Sequence, residues 1–289
     1  MAGSSMRDIK RRVRSVTNIE HITNAMKLVS ASKLRKAKST FEKTGEYFHF
    51  VIESIEDIFN NNTSDIPDKY LEGDREIKNR CFVVITSNRG LCGSFNTNVL
   101  RLAESEIRMS EGSKEIVAVG SKGRDYFQKR GFKISGEYLN QPESIAFIET
   151  HGISQPVIKG YEEGKIDELI MIHTSFISTM EQRVKKVRLL PFEINRNPEI
   201  LPLEKQVDYD PSVEEVFNYL VPKYVEIMIY NAIVESAVCE HAARRMAMES
   251  ATDNANGMIA DLTLFYNRAR QAAITSEITE IVSGADAIK

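Results

Sequence analysis

The chain has 289 residues, of which 42% are hydrophobic, and a formal net charge of −3 at pH 7. This length allows a sizeable core in one large or two modest domains, and the slight negative charge excludes a uniformly basic nucleic-acid-binding protein. No run of about eighteen apolar residues predicts a transmembrane helix, and the first residues lack the apolar segment of a secretory signal. Three scattered cysteines, Cys81, Cys92 and Cys239, form no metal-binding spacing and favour a reducing compartment.

The N-terminal segment has the periodicity of a helix. Its apolar residues recur every three or four positions, at Met6, Ile9, Val13, Val16, Ile19, Ile22, Met26 and Val29. Such spacing places one apolar stripe along a helix, and the first proline comes only at Pro67. The pattern predicts a helix from about Met6 to Phe59, roughly 80 Å long.

Basic residues dominate the first part of this helix, since Asp8, Glu20 and Glu42 are the only acids between Met6 and Lys43. A positive rod of this kind fits nucleic acid, an anionic membrane surface or an acidic protein. Aromatic rings are absent from the rod before Phe41, which disfavours single-stranded nucleic acid. An acidic protein groove and a merely solvated charged face both stay open.

The middle of the chain alternates strand-like and helical patterns. Strands are predicted at Arg80–Thr86, Glu115–Gly120, Glu168–Thr174 and Arg183–Phe192. Helices are predicted at Ser94–Ser110, Lys122–Gly131 and about Glu143–Gly164, and a loop at Asn195–Pro211. This alternation is typical of an α/β domain with a mainly parallel sheet.

The C-terminal segment carries a heptad seam. Its positions are Ala251, Ala255, Met258, Leu262, Phe265, Ala269 and Ala272, and the spacing continues backwards through Met248, Arg244 and His241. We expect one helix from Val213 to about Ser283, kinked or restarted at Pro222. Two long terminal helices predict an antiparallel coiled coil with an inserted α/β domain. The expected boundaries are 1–60, 75–195 and 211–289.

A glycine-bearing loop, Ile85–Asn96 ("ITSNRGLCGSFN"), follows the first strand. It has neither the G-x-G-x-x-G nor the Walker spacing, and the chain has no G-x-S-x-G motif. We therefore expect the glycines to permit tight turns, and we predict no cofactor, metal or catalytic residue. His173 ends a strand, a fair place for catalysis, but it has no partner in the sequence and is predicted to be structural.

Four segments together resemble the γ subunit of F-type ATP synthase. They are Ile9–Lys38, Ser87–Asn96, Glu240–Ala255 and Leu262–Ala285. The resemblance implies a non-catalytic central-stalk rotor that links a membrane c-ring to a ring of α and β subunits, with the ε subunit beside it. It also implies that the inserted α/β domain is Rossmann-like. Because the segment before the first helical pattern is too short for a typical transit peptide, we expect a bacterial origin and a peripheral position on the cytoplasmic side of the plasma membrane.

The resemblance further implies partner contacts at particular residues. On the C-terminal helix these are Arg270, Gln271, Thr275 and Glu277, on the N-terminal helix Met26 and Lys27, and in the glycine loop Arg89 and Cys92. Lys33 and Arg35 are nominated from charge alone. Asn88 stands where the family more often has aspartate. Two other classes stay open from the residues alone: an α/β enzyme with helical appendages, and a coiled-coil scaffold or nucleic-acid adaptor.

Overall fold

The computed structural model describes residues 6–61, 66–72, 76–139, 147–192, 209–210 and 212–286. Two long helices lie at the ends of the chain, α1 at Met6–Asn61 and α5 at Val213–Asp286. The chain divides into two compact units, one formed by Met1–Ser30 with Arg244–Lys289 and the other by Ala31–Ala243. Each long helix contributes to both units.

The second unit contains a five-stranded mixed sheet. In chain order its elements are β1 (Asn79–Ile85), α2 (Phe95–Met109), β2 (Ser113–Val119), α3 (Ser121–Gln128), β3 (Ile134–Tyr138), α4 (His151–Glu162), β4 (Glu168–Phe176) and β5 (Gln182–Leu190). The strand order is β3-β2-β1-β4-β5. All neighbours run parallel except β5, which pairs antiparallel with β4. The expected α/β class is confirmed.

Successive residues of a strand point to opposite faces, and both faces of this sheet are covered. On one face Phe82 and Val84 pack with buried residues of α2 and with Phe127 of α3. On the other face Cys81 and Val83 join a larger cluster to which α4 and parts of α1 and α5 contribute. Because both faces of the sheet are buried, the sequence of β1 is a continuous apolar run and does not alternate between apolar and polar residues.

Two elements differ from the sequence predictions. β3 was not predicted, because "ISGEY" has only two large apolar residues and a glycine; it forms by pairing with β2, with a register shift at Ile116/Val117. Of the helix expected at about Glu143–Gly164, residues 143–146 lie outside the described residues, Phe147–Thr150 form a 3₁₀ turn, and the α-helix spans His151–Glu162. Most of the loop expected at Asn195–Pro211 lies outside the described residues.

The expected restart of α5 at Pro222 does not occur, and the other expected outcome, a kink, stays a prediction. The helix runs unbroken from Val213 to Asp286 with the proline inside it. A proline removes one N–H donor, here the donor to the carbonyl of residue 218. Phe217, Val221 and Val225 are at most 1% exposed around it. Burial of these three side chains contributes roughly 4.5–9 kcal/mol, which exceeds the roughly 3 kcal/mol that an interior proline costs.

Candidate functional site: a filled crevice and a helix pair

In an open α/β sheet, a ligand crevice lies beyond the carboxyl ends of the strands, where the strand order reverses. Here that place is between β1 and β4, since β2 and β3 lie on one side of β1 and β4 lies on the other. The glycine loop follows β1, and the residues from His173 to Phe176 end β4. A nucleotide-binding relative of this fold would hold its ligand at this position.

Helix α5 occupies this position instead. The side chain of Glu235 accepts hydrogen bonds from Ser175 Oγ and from the Phe176 backbone N–H, each 2.9 Å long. One turn further along, Cys239 is buried in a cluster with Cys92 and Phe95 of the glycine loop. The carboxyl ends of β1 and β4 are thus joined by the chain's own helix.

The polar groups of the glycine loop are also used internally. The side chain of Asn88 accepts a bond from Ser121 N–H (2.8 Å) at the start of α3 and donates to the Leu139 carbonyl (2.9 Å). Thr86 Oγ1 accepts from Gly123 N–H at 2.8 Å. These N–H groups at a helix start are the ones that a phosphate would need.

The same bonds give a physical reason for asparagine at position 88. An ionised aspartate could accept from Ser121 N–H but could not donate to the Leu139 carbonyl. Asparagine does both, so residue 88 ties β1 to the loop that follows β3. Asn88 therefore has a structural role within the domain.

Cys92 faces the interior, whereas Arg89 is exposed. Cys92 is 2% exposed, and Asn96 Nδ2 donates to its sulfur at 3.2 Å and to Ser87 Oγ at 2.7 Å. Cys239 lies in the same cluster, and burial, with a contribution from Glu235, raises the pKa of its thiol. A buried and protonated thiol is a poor nucleophile, so Cys239 acts as a packing residue.

Leu91 is the residue of this loop that the sequence reading missed. It has φ of 61°, and its side chain is 63% exposed. A left-handed backbone costs a residue with a Cβ roughly 1–2 kcal/mol, which glycine avoids, as Gly93 does with φ of 57°. No sequence signal indicates this conformation beyond the neighbouring glycines at positions 90 and 93.

His173 has a partner that the sequence did not reveal. Its Nδ1 lies 3.5 Å from the Glu235 carboxylate, and its side chain is buried. Burial lowers the pKa of His173, and the nearby carboxylate offsets this only in part. Since Glu235 is itself bound to Ser175 and Phe176, the group joins β4 to α5. Among the described residues, no group of three or more His, Cys, Asp and Glu side chains could hold a metal ion.

The other unit consists of the beginning of α1 and the end of α5. Thr23 and Thr252 are both buried and form a hydrogen bond of 2.8 Å across the two helices. The least exposed positions of α5 from here onwards are Thr252, Ala255, Ile259, Leu262, Tyr266, Ala269 and Ala273, at steps of three and four. The heptad prediction was therefore right in its period and at Ala255, Leu262 and Ala269. At the alternate positions it was one residue too early, because Ile259, Tyr266 and Ala273 are less exposed than the predicted Met258, Phe265 and Ala272.

The predicted α1 stripe was wrong at Ile19, Ile22 and Val29 for a related reason, whereas Met26 is half-buried. Ile19, Ile22 and Val29 are 50%, 60% and 56% exposed. The predicted stripe took two consecutive steps of three after Val16, which rotate it away from the partner helix. The less exposed positions continue through Glu20 and then Thr23, so this part of the seam is polar and the isoleucines face outwards.

The nominated contact residues do not form one patch. Arg270, Gln271, Thr275 and Glu277 are exposed within two turns of α5, and Thr275 Oγ1 donates to the Gln271 carbonyl at 2.9 Å. Met26 and Lys27 are half-buried on α1, near the level of Thr252. Eighteen residues of α5 separate Thr252 from Arg270, or about 27 Å along the helix.

The four remaining nominated residues belong to the other unit. Lys33 is half-buried, Arg35 and Arg89 are exposed, and Cys92 is buried. No described helix is apolar over a stretch long enough to cross a membrane.

Comparisons with known proteins agree over nearly the whole chain. A model of the ATP synthase family matches residues 5–288. The chain is 45% identical over 291 residues to the ATP synthase gamma chain of Alkaliphilus metalliredigens, covering 99% of this chain and 100% of that one. It is 39% identical over 301 residues to the sodium ion specific gamma chain of Acetobacterium woodii, covering 98% and 99%.

A solved structure of the central stalk and c-ring of the Tetrahymena thermophila mitochondrial ATP synthase contains a similar chain. The TM-score is 0.64 at 26% identity, covering 80% of this chain and 99% of that one. Three observations lead to one assignment. Two long helices lie at the ends of the chain with an α/β domain between them in sequence, a family model spans nearly the whole sequence, and relatives match over their full length. The chain belongs to the ATP synthase gamma chain family.

Proposed function

We propose that this chain is the shaft of a rotary ATP synthase, which carries rotation between a membrane c-ring and a ring of catalytic α and β subunits. As a gamma chain it is a central-stalk subunit without a catalytic site of its own. The observation that supports this most directly is the full-length family match of a chain whose ligand crevice is filled by its own α5.

The mechanism is differential binding. An asymmetric shaft presents different side chains to each surrounding subunit at each angle, and each contact favours one conformation of that subunit. The end of α5 offers exposed polar groups for such contacts at Arg270, Gln271, Thr275 and Glu277. Ion flow through the c-ring turns the shaft, so the catalytic sites change their affinity in sequence.

Several finer points belong to the same proposal. The ε subunit and the c-ring are the expected partners besides α and β, and the complex is expected on the cytoplasmic side of a bacterial plasma membrane. Met26, Lys27, Lys33, Arg35, Arg89 and Cys92 remain candidates for contacts with α and β. The Acetobacterium relative is named sodium ion specific. The coupling ion is chosen in the c-ring, so either H⁺ or Na⁺ is compatible with this chain.

The central experiment is co-expression of the chain with α and β subunits. We expect a complex whose ATP hydrolysis depends on this chain. ATPase activity that is the same without it, or no complex at all, would overturn the proposal. A pull-down with DNA as competitor separates the shaft from a nucleic-acid adaptor.

One contact can be tested with a matched control. Arg270→Ala removes the donors of an exposed guanidinium from α5 while keeping a strong helix former. A hydrogen bond to a charged group contributes about 1.5–3 kcal/mol, so we expect hydrolysis or ion pumping to fall about tenfold with normal assembly. Arg268→Ala removes an equally exposed arginine two residues away, which points to another side of the helix. Equal effects of the two changes would remove Arg270 from the contact set.

A further inference from the structure

His173 is a titratable side chain buried at the contact between α5 and the sheet. Glu235 of α5 accepts hydrogen bonds of 2.9 Å from Ser175 Oγ and from the Phe176 backbone N–H of β4. Its other carboxylate oxygen lies 3.5 Å from His173 Nδ1, and this nitrogen has no hydrogen-bond partner among the described residues. We call these four residues the crevice joint. His173 therefore borders the hydrogen bonds that hold α5 to β4 without forming one of them.

Burial holds the imidazole of His173 in its neutral form near pH 7. The side chain is 8% exposed, so a positive charge there would lose most of its contact with water. Lys185 lies opposite His173 in the β4–β5 ladder and brings a like charge to the same face of the sheet. Burial lowers the pKa of His173, the carboxylate of Glu235 offsets this only in part, and Lys185 adds to the lowering.

The other side chains around the crevice joint do not gain a proton in its place. Arg183, the next residue of β5 on the same face, is bound to Glu181 at 2.6 Å. Burial raises the pKa of the Cys239 thiol on α5, so this thiol stays uncharged. From α1, apolar side chains pack beside Phe176. Since histidine ordinarily changes its charge between pH 5 and 8, a proton taken up by the joint in this range binds His173.

We propose that the crevice joint is a pH-sensitive switch, in which a proton on His173 releases α5 from the end of β4 while the sheet stays folded. In the closed joint the imidazole is kept from water and lies near Lys185, whereas in the open joint water surrounds it. A proton therefore binds the open joint better and favours opening. The ladders of β4 with β1 and β5 do not involve Glu235, so they persist when α5 leaves.

The switch involves this chain alone, whereas its consequence for rotation rests on the proposed function. In a shaft, an α5 detached from β4 would transmit less rotation to or from the α/β domain. Acidification would then uncouple the complex through this chain, in addition to any effect on the catalytic subunits.

Hydrogen exchange of the full chain, followed by mass spectrometry, measures opening of the joint. The reporter is the Phe176 amide, which donates to Glu235 in the closed joint, and the reference is the Val84 amide in β1, which pairs on both sides. Protection is corrected for the intrinsic exchange rate at each pH. With an ordinary histidine in the open joint, protection of Phe176 should fall by up to about tenfold from pH 7.5 to 5.5. At pH 5.5 it should be at least about tenfold below that of Val84, because the opening is local.

Two variants connect the fall to His173. His173→Gln keeps a polar side chain that does not titrate in this range, so the protection of Phe176 should become nearly independent of pH. Lys185→Gln changes an exposed side chain and leaves the buried joint intact. Since it removes the like charge, the closed joint accepts the proton more readily and the fall should become smaller.

Several results would overturn the switch. One is a Phe176 protection that does not change with pH, or that rises on acidification, as an ion pair of protonated His173 with Glu235 would produce. Another is equal protection of Phe176 and Val84, which means that α5 leaves only when the whole unit unfolds. A fall that persists in His173→Gln, or that is no smaller in Lys185→Gln, also contradicts it. The measurement needs no other subunit, so its failure leaves the proposed function intact, and a chain that forms no complex with α and β subunits leaves the switch intact.

Discussion

Replacing Glu235 with alanine should be among the most damaging single changes in the α/β unit. Its carboxylate is 8% exposed and accepts from Ser175 Oγ and Phe176 N–H, both at 2.9 Å. The other oxygen lies 3.5 Å from His173 Nδ1. These bonds fix α5 against the end of β4, where a ligand would otherwise sit.

The expected loss in the free energy of unfolding follows from the buried groups that Glu235→Ala leaves without a partner. The Phe176 N–H cannot turn to another acceptor, and a buried donor left unsatisfied costs about 1–3 kcal/mol. Because burial lowers the pKa of His173, its imidazole is neutral near pH 7 and loses only a polar neighbour, with no ion pair broken. The Ser175 hydroxyl can rotate, which moderates the loss. We therefore expect Glu235→Ala to lower the free energy of unfolding by about 3 kcal/mol.

Urea denaturation of the full chain, followed by circular dichroism, measures this loss. Glu235→Gln is the matched control, because an amide oxygen still accepts from Ser175 and Phe176 while the charge near His173 is removed. We expect the glutamine variant to lose only about 1 kcal/mol. A loss below about 1 kcal/mol for alanine, or equal losses for the two variants, would refute the reasoning.

Three further predictions concern other parts of the chain. Burial lowers the pKa of His173, so the unfolded chain binds more protons below about pH 6.5. The free energy of unfolding should therefore fall as the pH drops through that region, and it should fall less steeply in His173→Gln. The test compares the urea midpoints of the two proteins from pH 7.5 to 5. Midpoints that stay parallel would contradict the prediction. Thr23→Val and Thr252→Val should each lower the free energy of unfolding by about 1 kcal/mol. The double variant should recover most of this loss, because both bonding partners are then apolar. Losses that simply add in a double-mutant cycle would contradict this prediction. The isolated chain should release no binding heat with micromolar ATP in calorimetry, since Asn88 and Thr86 already accept from the start of α3; affinity abolished by changes at Gly90 or Gly93 would show the opposite.

Periodicity predicted the elements whose own residues decide their structure. Four strands of the sheet are rich in apolar residues, and α1 and α5 keep steps of three and four over many turns. β3 was missed because "ISGEY" becomes a strand only by pairing with β2. Its conformation depends on residues distant in sequence, and no local pattern contains that information.

The helix seam shows a second limit. Counting apolar residues placed Ile19 and Ile22 against the partner helix, whereas both are at least half exposed. The buried positions at that level include Thr23, which bonds Thr252. Apolar residues that lie exposed and apolar residues that pack in the fold look alike in one sequence. Only the strict alternation of three and four, here through Glu20, distinguishes the inward face.

Motifs could not predict that α5 fills the crevice, because a motif indicates only whether a ligand binds there. Here Glu235 and Cys239 lie on α5, more than fifty residues beyond the strand ends that they contact. The ladder between β1 and β4 already holds these strands together, so the crevice beyond their carboxyl ends can take either a ligand or another part of the chain. Filling it with a helix that has its own hydrogen bonds to β4 fixes that helix to the sheet. For the proposed shaft, a fixed helix is of more use than a binding site, since any slack between α5 and the sheet would absorb angular displacement.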